Sequence, residues 1–106
     1  MPIGFVYVLS NPAMPGMYKV GYTLSSVEER VRELSLSSSV PVPFDVEYWC
    51  LTENPEAVEQ KVFDLLTGSR VNANREFFRA SLDVIVSTID LLVKPVEARF
   101  VRPTQG

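Results

Sequence analysis

A chain of 106 residues, 46% hydrophobic and 22% charged with a formal net charge of −3, is expected to hold one hydrophobic core, and it is too apolar to be mainly disordered. The absence of histidine excludes Ser-His-Asp and Cys-His nucleophiles, histidine-ligated zinc and an imidazole base; the single cysteine, Cys50, excludes an internal disulfide, which fits a reducing cytoplasm. The longest apolar stretch, Val84 to Val93, is broken by Ser87, Thr88 and Asp90 and falls short of the roughly 18 residues of a membrane span, while Met1-Pro2-Ile3-Gly4 lacks the basic region of a signal peptide.

Gly4 to Leu9 is aromatic and β-branched and predicts a strand. Ser10 to Gly16 carries two prolines and a glycine and predicts a loop. Met17 to Thr23 predicts a second strand, antiparallel to the first. Ser25 or Ser26 caps a helix with Glu28 and Glu29 in its first turn and Val27, Val31 and Leu34 as its apolar stripe. Ser35 to Ser39 ends it, and Val40-Pro41-Val42-Pro43 is extended. Phe44 to Leu51 alternates and predicts a third strand with Phe44, Val46, Tyr48 and Cys50 on one face.

Asn54-Pro55-Glu56 marks a helix start, an Asn cap with proline in the first turn. Val58, Val62, Leu65 and Leu66 form the buried side, and Gly68 stops the helix. A polar loop over 69–75 leads to an apolar knot, Glu76-Phe77-Phe78. Ser81 caps a last helix with the stripe Leu82, Ile85, Val86, Ile89, Leu92 and Val93, which Pro95 ends. The order β-β-α-β-α, a short link and α predicts an α/β (α+β) domain over residues 1–95. Its expected architecture is a small three-stranded antiparallel sheet flanked by helices, with 96–106 as a C-terminal tail.

Charge is unevenly spread. Residues 1–69 hold four basic residues against nine acids, whereas residues 70–106 hold six against four. The acidic total disfavours nucleic-acid binding, yet Arg70, Arg75 and Arg79 can form a local basic patch. Arg30 falls beside Val27, Val31 and Leu34, at the edge of an apolar stripe, while Glu28, Glu29, Arg32 and Glu33 point elsewhere. At such an edge an arginine either lays its stem on the core with its head in water or meets a partner. Glu59 falls between Leu66 and Phe63 on the helical wheel, where a carboxylate needs a cationic partner or a bound cation. Tyr7 shares a strand face with Phe5 and Leu9; Tyr18 and Lys19 lie on opposite faces of the next strand.

Several stretches together resemble the GIY-YIG nuclease superfamily, especially its phage-type branch of small stand-alone domains. In Gly4-Phe5-Val6-Tyr7-Val8-Leu9, Phe5-Val6-Tyr7 takes the G-I-Y place; in Tyr18-Lys19-Val20-Gly21-Tyr22-Thr23, Lys19-Val20-Gly21 takes the Y-I-G place. Val27 to Leu34 resembles the helix that holds the family arginine, and Val40 to Phe44 and Arg70 to Phe78 resemble this branch too. The resemblance implies a metal-dependent endonuclease that cuts DNA. Tyr7 would orient or deprotonate the attacking water, Arg30 would stabilise phosphate charge, and Glu59 would bind Mg²⁺ or another divalent cation. Lys19, where many members have tyrosine, would serve the phosphate as a point charge. Tyr22 and Asn72 complete the candidate set, with Asn74 as the alternative to Asn72. Phe63 stands where related sequences often have histidine, and Phe5 where they have glycine.

Two readings compete with the nuclease. One is an inactive module of the same fold that binds nucleic acid or protein, with DNA held by Arg70, Arg75 and Arg79; a homodimer or a separate DNA-binding partner could extend its basic surface. The other is a protein-interaction domain that dimerises through an exposed apolar patch, for example on the last helix.

Overall fold

The computed structural model describes residues 2–37, 42–69 and 77–93, and the backbone of 97–99. The sequence splits its first apolar run into β1 (Ile3–Ser10) and β2 (Tyr18–Thr23), which pair antiparallel. Between them Asn11 organises the turn: its side-chain oxygen accepts from the Ala13 amide at 2.9 Å and its side-chain nitrogen donates to the Val42 carbonyl at 2.9 Å. Gly16 adopts φ 80°, a left-handed conformation that favours glycine. The register sets Phe5 opposite Thr23, Tyr7 opposite Gly21 and Leu9 opposite Lys19.

Helix α1 (Val27–Ser37) starts at Ser26, whose hydroxyl accepts from the Glu29 amide at 3.0 Å while the Glu29 carboxylate accepts from that hydroxyl at 3.2 Å. Strand β3 (Asp45–Glu53) then returns antiparallel to β1 on the side away from β2. Helix α2 (Pro55–Leu65) has Pro55 in its first turn, as predicted. Asn54 differs from expectation: it makes no side-chain cap and instead takes φ 52°, ψ 57°, donating its amide to the Pro2 carbonyl at 2.7 Å. Its value here is its tolerance of left-handed backbone. Gly68 is not the helix stop either. It sits inside a 3₁₀ turn (Thr67–Ser69), and the Thr67 hydroxyl donates to the carbonyls of Phe63 and Asp64. Helix α3 follows β4 (Phe77–Phe78) and spans Leu82–Leu92, capped as expected by Ser81, which accepts from the Val84 amide at 3.2 Å.

The sheet has five strands in the order β4-β2-β1-β3-β5, with β5 at Glu97–Arg99, rather than the predicted three. The two extra strands are edge pieces of two and three residues, too short to carry a periodic pattern. The apolar knot therefore becomes a strand beside β2, and the predicted tail contributes one beside β3. The predictions for residues 38–41, 70–76 and Pro95 lie outside the described residues. Among the described residues no helix is long and apolar enough to cross a membrane.

Alternation along β1 builds a core on each face. Val6 and Val8 join Val20, Tyr48 and Cys50 beneath Val58, Val62 and Phe63 of α2 and Ile85, Val86 and Ile89 of α3. Tyr7 and Leu9 join Val27 and Val31 of α1 and Phe44 on the other face. Strand β3 changes parity within itself. A bulge lets Val8 pair with Tyr48 and Leu9 with Val46, leaving Glu47 as the extra residue. The predicted single face thus splits, with Tyr48 and Cys50 under α2 and α3, and Phe44 and Val46 under α1. The Ser10 hydroxyl donates to Glu47 at 2.6 Å across the irregularity.

Tyr48 donates to the Asp90 carboxylate at 2.8 Å, tying β3 to α3. Burial and this bond raise the Tyr48 phenol well above its ordinary range. Burial also pushes the Cys50 thiol up to about 11, against the lowering effect of its hydrogen bond with Tyr48. The thiol is neutral in the fold below that value, and the unfolded chain ionises it near 9.0. Its contribution to stability is therefore complete below about pH 9.0 and declines as pH rises through about 11. The expected outcome is that folded protein resists thiol reagents at pH 8, and that between these limits the wild type loses more urea resistance than Cys50→Ala, which keeps only the loss due to Tyr48. Ser26→Ala should cost about 1 kcal/mol by urea unfolding, whereas Asn54→Gly should change stability by less than about 0.5 kcal/mol, because φ 52° suits glycine.

Candidate functional site

The register that sets Tyr7 opposite Gly21 lays its ring across the neighbouring strand. A methyl group built on Gly21 would lie 2.6 Å from the Tyr7 hydroxyl and 2.7 Å from the ring carbon bearing it. No side chain larger than hydrogen fits under the phenol, which is the physical reason for glycine at this position. Tyr7 is 1% exposed. Arg30, one helical turn into α1, donates to the Tyr7 hydroxyl, and this bond is the largest cause of the rise in its own pKa. Desolvation opposes the rise, and electrostatic attraction to Tyr7 and Glu33 and the hydrogen bond with Glu33 add to it. The guanidinium also pairs with Glu33 at 3.3 Å, with side-chain exposures of 43% and 68%. Glu33 was expected to point elsewhere; the i, i+3 spacing from Arg30 was the signal for this pair.

Lys19 lies opposite Leu9 and so projects on the face that carries Tyr7 and α1. Its ammonium stands 5.3 Å from the centre of the Phe77 ring, within the range of a cation–π contact. Phe77 pairs with Lys19 in the sheet. Sequence reasoning missed it because a two-residue strand gives no warning of its partner. Arg79, two residues further on, is exposed, and its amide donates to the Ser69 carbonyl at 2.7 Å.

The remaining candidates separate from this group. Tyr22 lies opposite Val6, on the face covered by α2, and so turns away from Tyr7. Glu59 is 4% exposed in the buried stripe of α2, as the helical wheel predicts, and its carboxylate accepts from Gln60 Nε2 at 3.4 Å. Helix α2 packs on β1 and β2. Tyr7, Lys19 and Arg30 thus share one face of the sheet, while Glu59 comes from the layer on the other. Strand β4 pairs only with Tyr18 and Lys19, so among the described residues β2 has no outer partner from Val20 onward, beside the glycine under the phenol. Arg70, Asn72, Asn74 and Arg75 lie outside the described residues. Among those described, no three His, Cys, Asp or Glu side chains gather as a metal-binding group. Chemically, the shared face offers a phenol held against a guanidinium, with an ammonium at the next pair of residues along the strands.

Gly21→Ala should displace the Tyr7 ring, because the clash is with the phenol end of a packed side chain. A loss of about 1–3 kcal/mol in urea unfolding is expected, and Tyr7→Phe combined with Gly21→Ala should recover part of it by removing the hydroxyl.

No curated protein and no solved structure matches the chain. The T5orf172 domain, a phage-associated domain of the endonuclease type, matches over residues 4–93. That span includes Tyr7, Lys19, Arg30 and Glu59 and runs from the first strand through the last helix. On this match the chain belongs to the T5orf172 domain family.

Proposed function

We propose that this protein hydrolyses DNA phosphodiester bonds in the manner of a GIY-YIG nuclease, with Tyr7, Lys19, Arg30 and Glu59 as its working residues. The observation that carries the reading is the hydrogen bond from Arg30 to the Tyr7 hydroxyl, on the face that Lys19 also occupies. Hydrolysis of a phosphodiester needs a positioned water, a base to take its proton, and positive charge facing the transition state. The guanidinium that donates to the phenol oxygen holds that oxygen in place. The same guanidinium presents further N–H groups to phosphate oxygens, and its charge persists at every working pH. Lys19 adds a second charge without the demand for planar geometry.

The donor set fits a hydrated divalent cation. Glu59 offers hard oxygen ligands, and one protein carboxylate with substrate oxygens suits Mg²⁺, which keeps most of its waters. Bound there, Mg²⁺ would polarise a phosphoryl oxygen as a Lewis acid. A phosphodiester bound at this site would engage Tyr7 and Arg30 from one layer and Glu59 from the other.

A second reading, the inactive binding module, is favoured by two observations. Glu59 is 4% exposed, and Phe63 packs its ring 5.5 Å from Phe78 where related sequences carry histidine.

Plasmid nicking separates the two. Under the nuclease reading, Mg²⁺ supports nicking, Glu59→Gln abolishes it in a protein that unfolds at the wild-type urea concentration, and Arg30→Ala lowers it by about 10²-fold or more. Equal nicking by wild type and Glu59→Gln would assign the activity to a contaminant. Binding without nicking, weakening with salt and dependent on Arg70, Arg75 and Arg79, would establish the binding module.

A further inference from the structure

On the face that carries Tyr7, a cleft of about 320 Å³ opens between the start of α1 and strands β1 and β3, lined by Phe5, Ser26, Val27, Glu28, Val46 and Trp49. Its volume is at the small end of the roughly 300–1,000 Å³ typical of ligand pockets, room for one flat ring system. Phe5 and Trp49 meet edge to face, with ring centres 5.5 Å apart and planes at 77°. Both are half-buried, unlike the fully enclosed Tyr7 next to them in the sheet. Glu28 is the one charged group of the described lining, and it is exposed.

This chemistry decides the occupant. A phosphate is disfavoured, because the described lining offers a carboxylate and no cation. A flat, weakly polar ring with amino hydrogens on its rim is favoured, because the aromatic pair can stack with it and Glu28 can accept from it. Position narrows the choice further. Phe5 stands two residues before Tyr7, about 7 Å along β1, and Trp49 pairs directly with Tyr7 on β3. Lys19 lies on β2 opposite Leu9, two residues along β1 from Tyr7. Lys19 is therefore on the β2 side of β1, and the aromatic cleft spans β1 and β3. We infer that the cleft receives an unpaired nucleobase bearing an exocyclic amine, from the strand whose phosphate is held at Arg30 and Lys19. This deepens the proposed nuclease reading and rests on it: the substrate is DNA with a locally unpaired nucleotide beside the bond to be cut.

Trp49 is the single tryptophan of the chain, so its emission reports occupancy directly. The full chain is titrated with oligodeoxycytidylate, oligothymidylate and an abasic strand of equal length, and plasmid nicking is measured on the same preparation. Oligodeoxycytidylate should quench Trp49 and bind about tenfold more tightly than the abasic strand. Phe5→Leu should erase that difference. Glu28→Gln, at an exposed helix position that leaves the fold intact, should erase the preference for cytosine over thymine and so carries the test should Phe5→Leu fail to fold. Unchanged Trp49 emission, or equal affinity for the abasic strand, in a protein that nicks plasmid would overturn the base cleft and leave the nuclease reading standing. A protein that neither nicks nor binds any strand would overturn both.

Discussion

The arrangement turns on the absence of a side chain at Gly21. Pairing of β1 with β2 brings this glycine opposite Tyr7, and the phenol lies where a β-carbon would otherwise be. That close approach fixes the ring, the ring gives Arg30 an oxygen to donate to, and the bond fixes the guanidinium at the edge of α1. A buried hydroxyl and a half-buried charge thereby satisfy each other, where either alone would carry a desolvation cost. Local backbone geometry, core packing and the candidate chemistry rest on one steric fact.

Around it the sheet distributes its tasks by parity. Odd-numbered positions of β1 build the layer with α1, where Tyr7 and Lys19 sit together; even-numbered positions build the layer with α2 and α3, where the larger aliphatic cluster lies. The second layer is closed by the bond from Tyr48 to Asp90 and by Phe63 against Phe78. Glu59 belongs to this half. The chain thus holds its cationic group and its buried carboxylate in separate layers.

Much of this was legible in the sequence. Aromatic and β-branched composition between turn formers gave β1 and β2, capping chemistry gave the starts of α1 and α3, and helical spacing gave the burial of Glu59 and the half-buried position of Arg30. The failures have physical causes. Strands of two and three residues exist only through their neighbours, so β4 and β5 left no periodic trace. Asn54 was read for its side chain, whereas the fold uses its tolerance of positive φ. Tyr22, named with the candidate set, faces the layer of Glu59 rather than that of Tyr7, because an even-numbered neighbour of Gly21 points to the other side of the sheet. Phe77 beneath Lys19 is a contact between segments almost sixty residues apart, which no local pattern encodes.

The irregularity at Glu47 has a consequence for comparing this chain with others. Upstream of it, β3 contributes Val46 to the cleft beside Trp49; downstream, the odd and even positions exchange duties. A related chain one residue shorter here would bring a different set of side chains to the same wall, even if every flanking amino acid were unchanged. Aligning such a chain without a gap would equate lining positions with interior ones, and the two surfaces would look divergent when only their numbering had slipped.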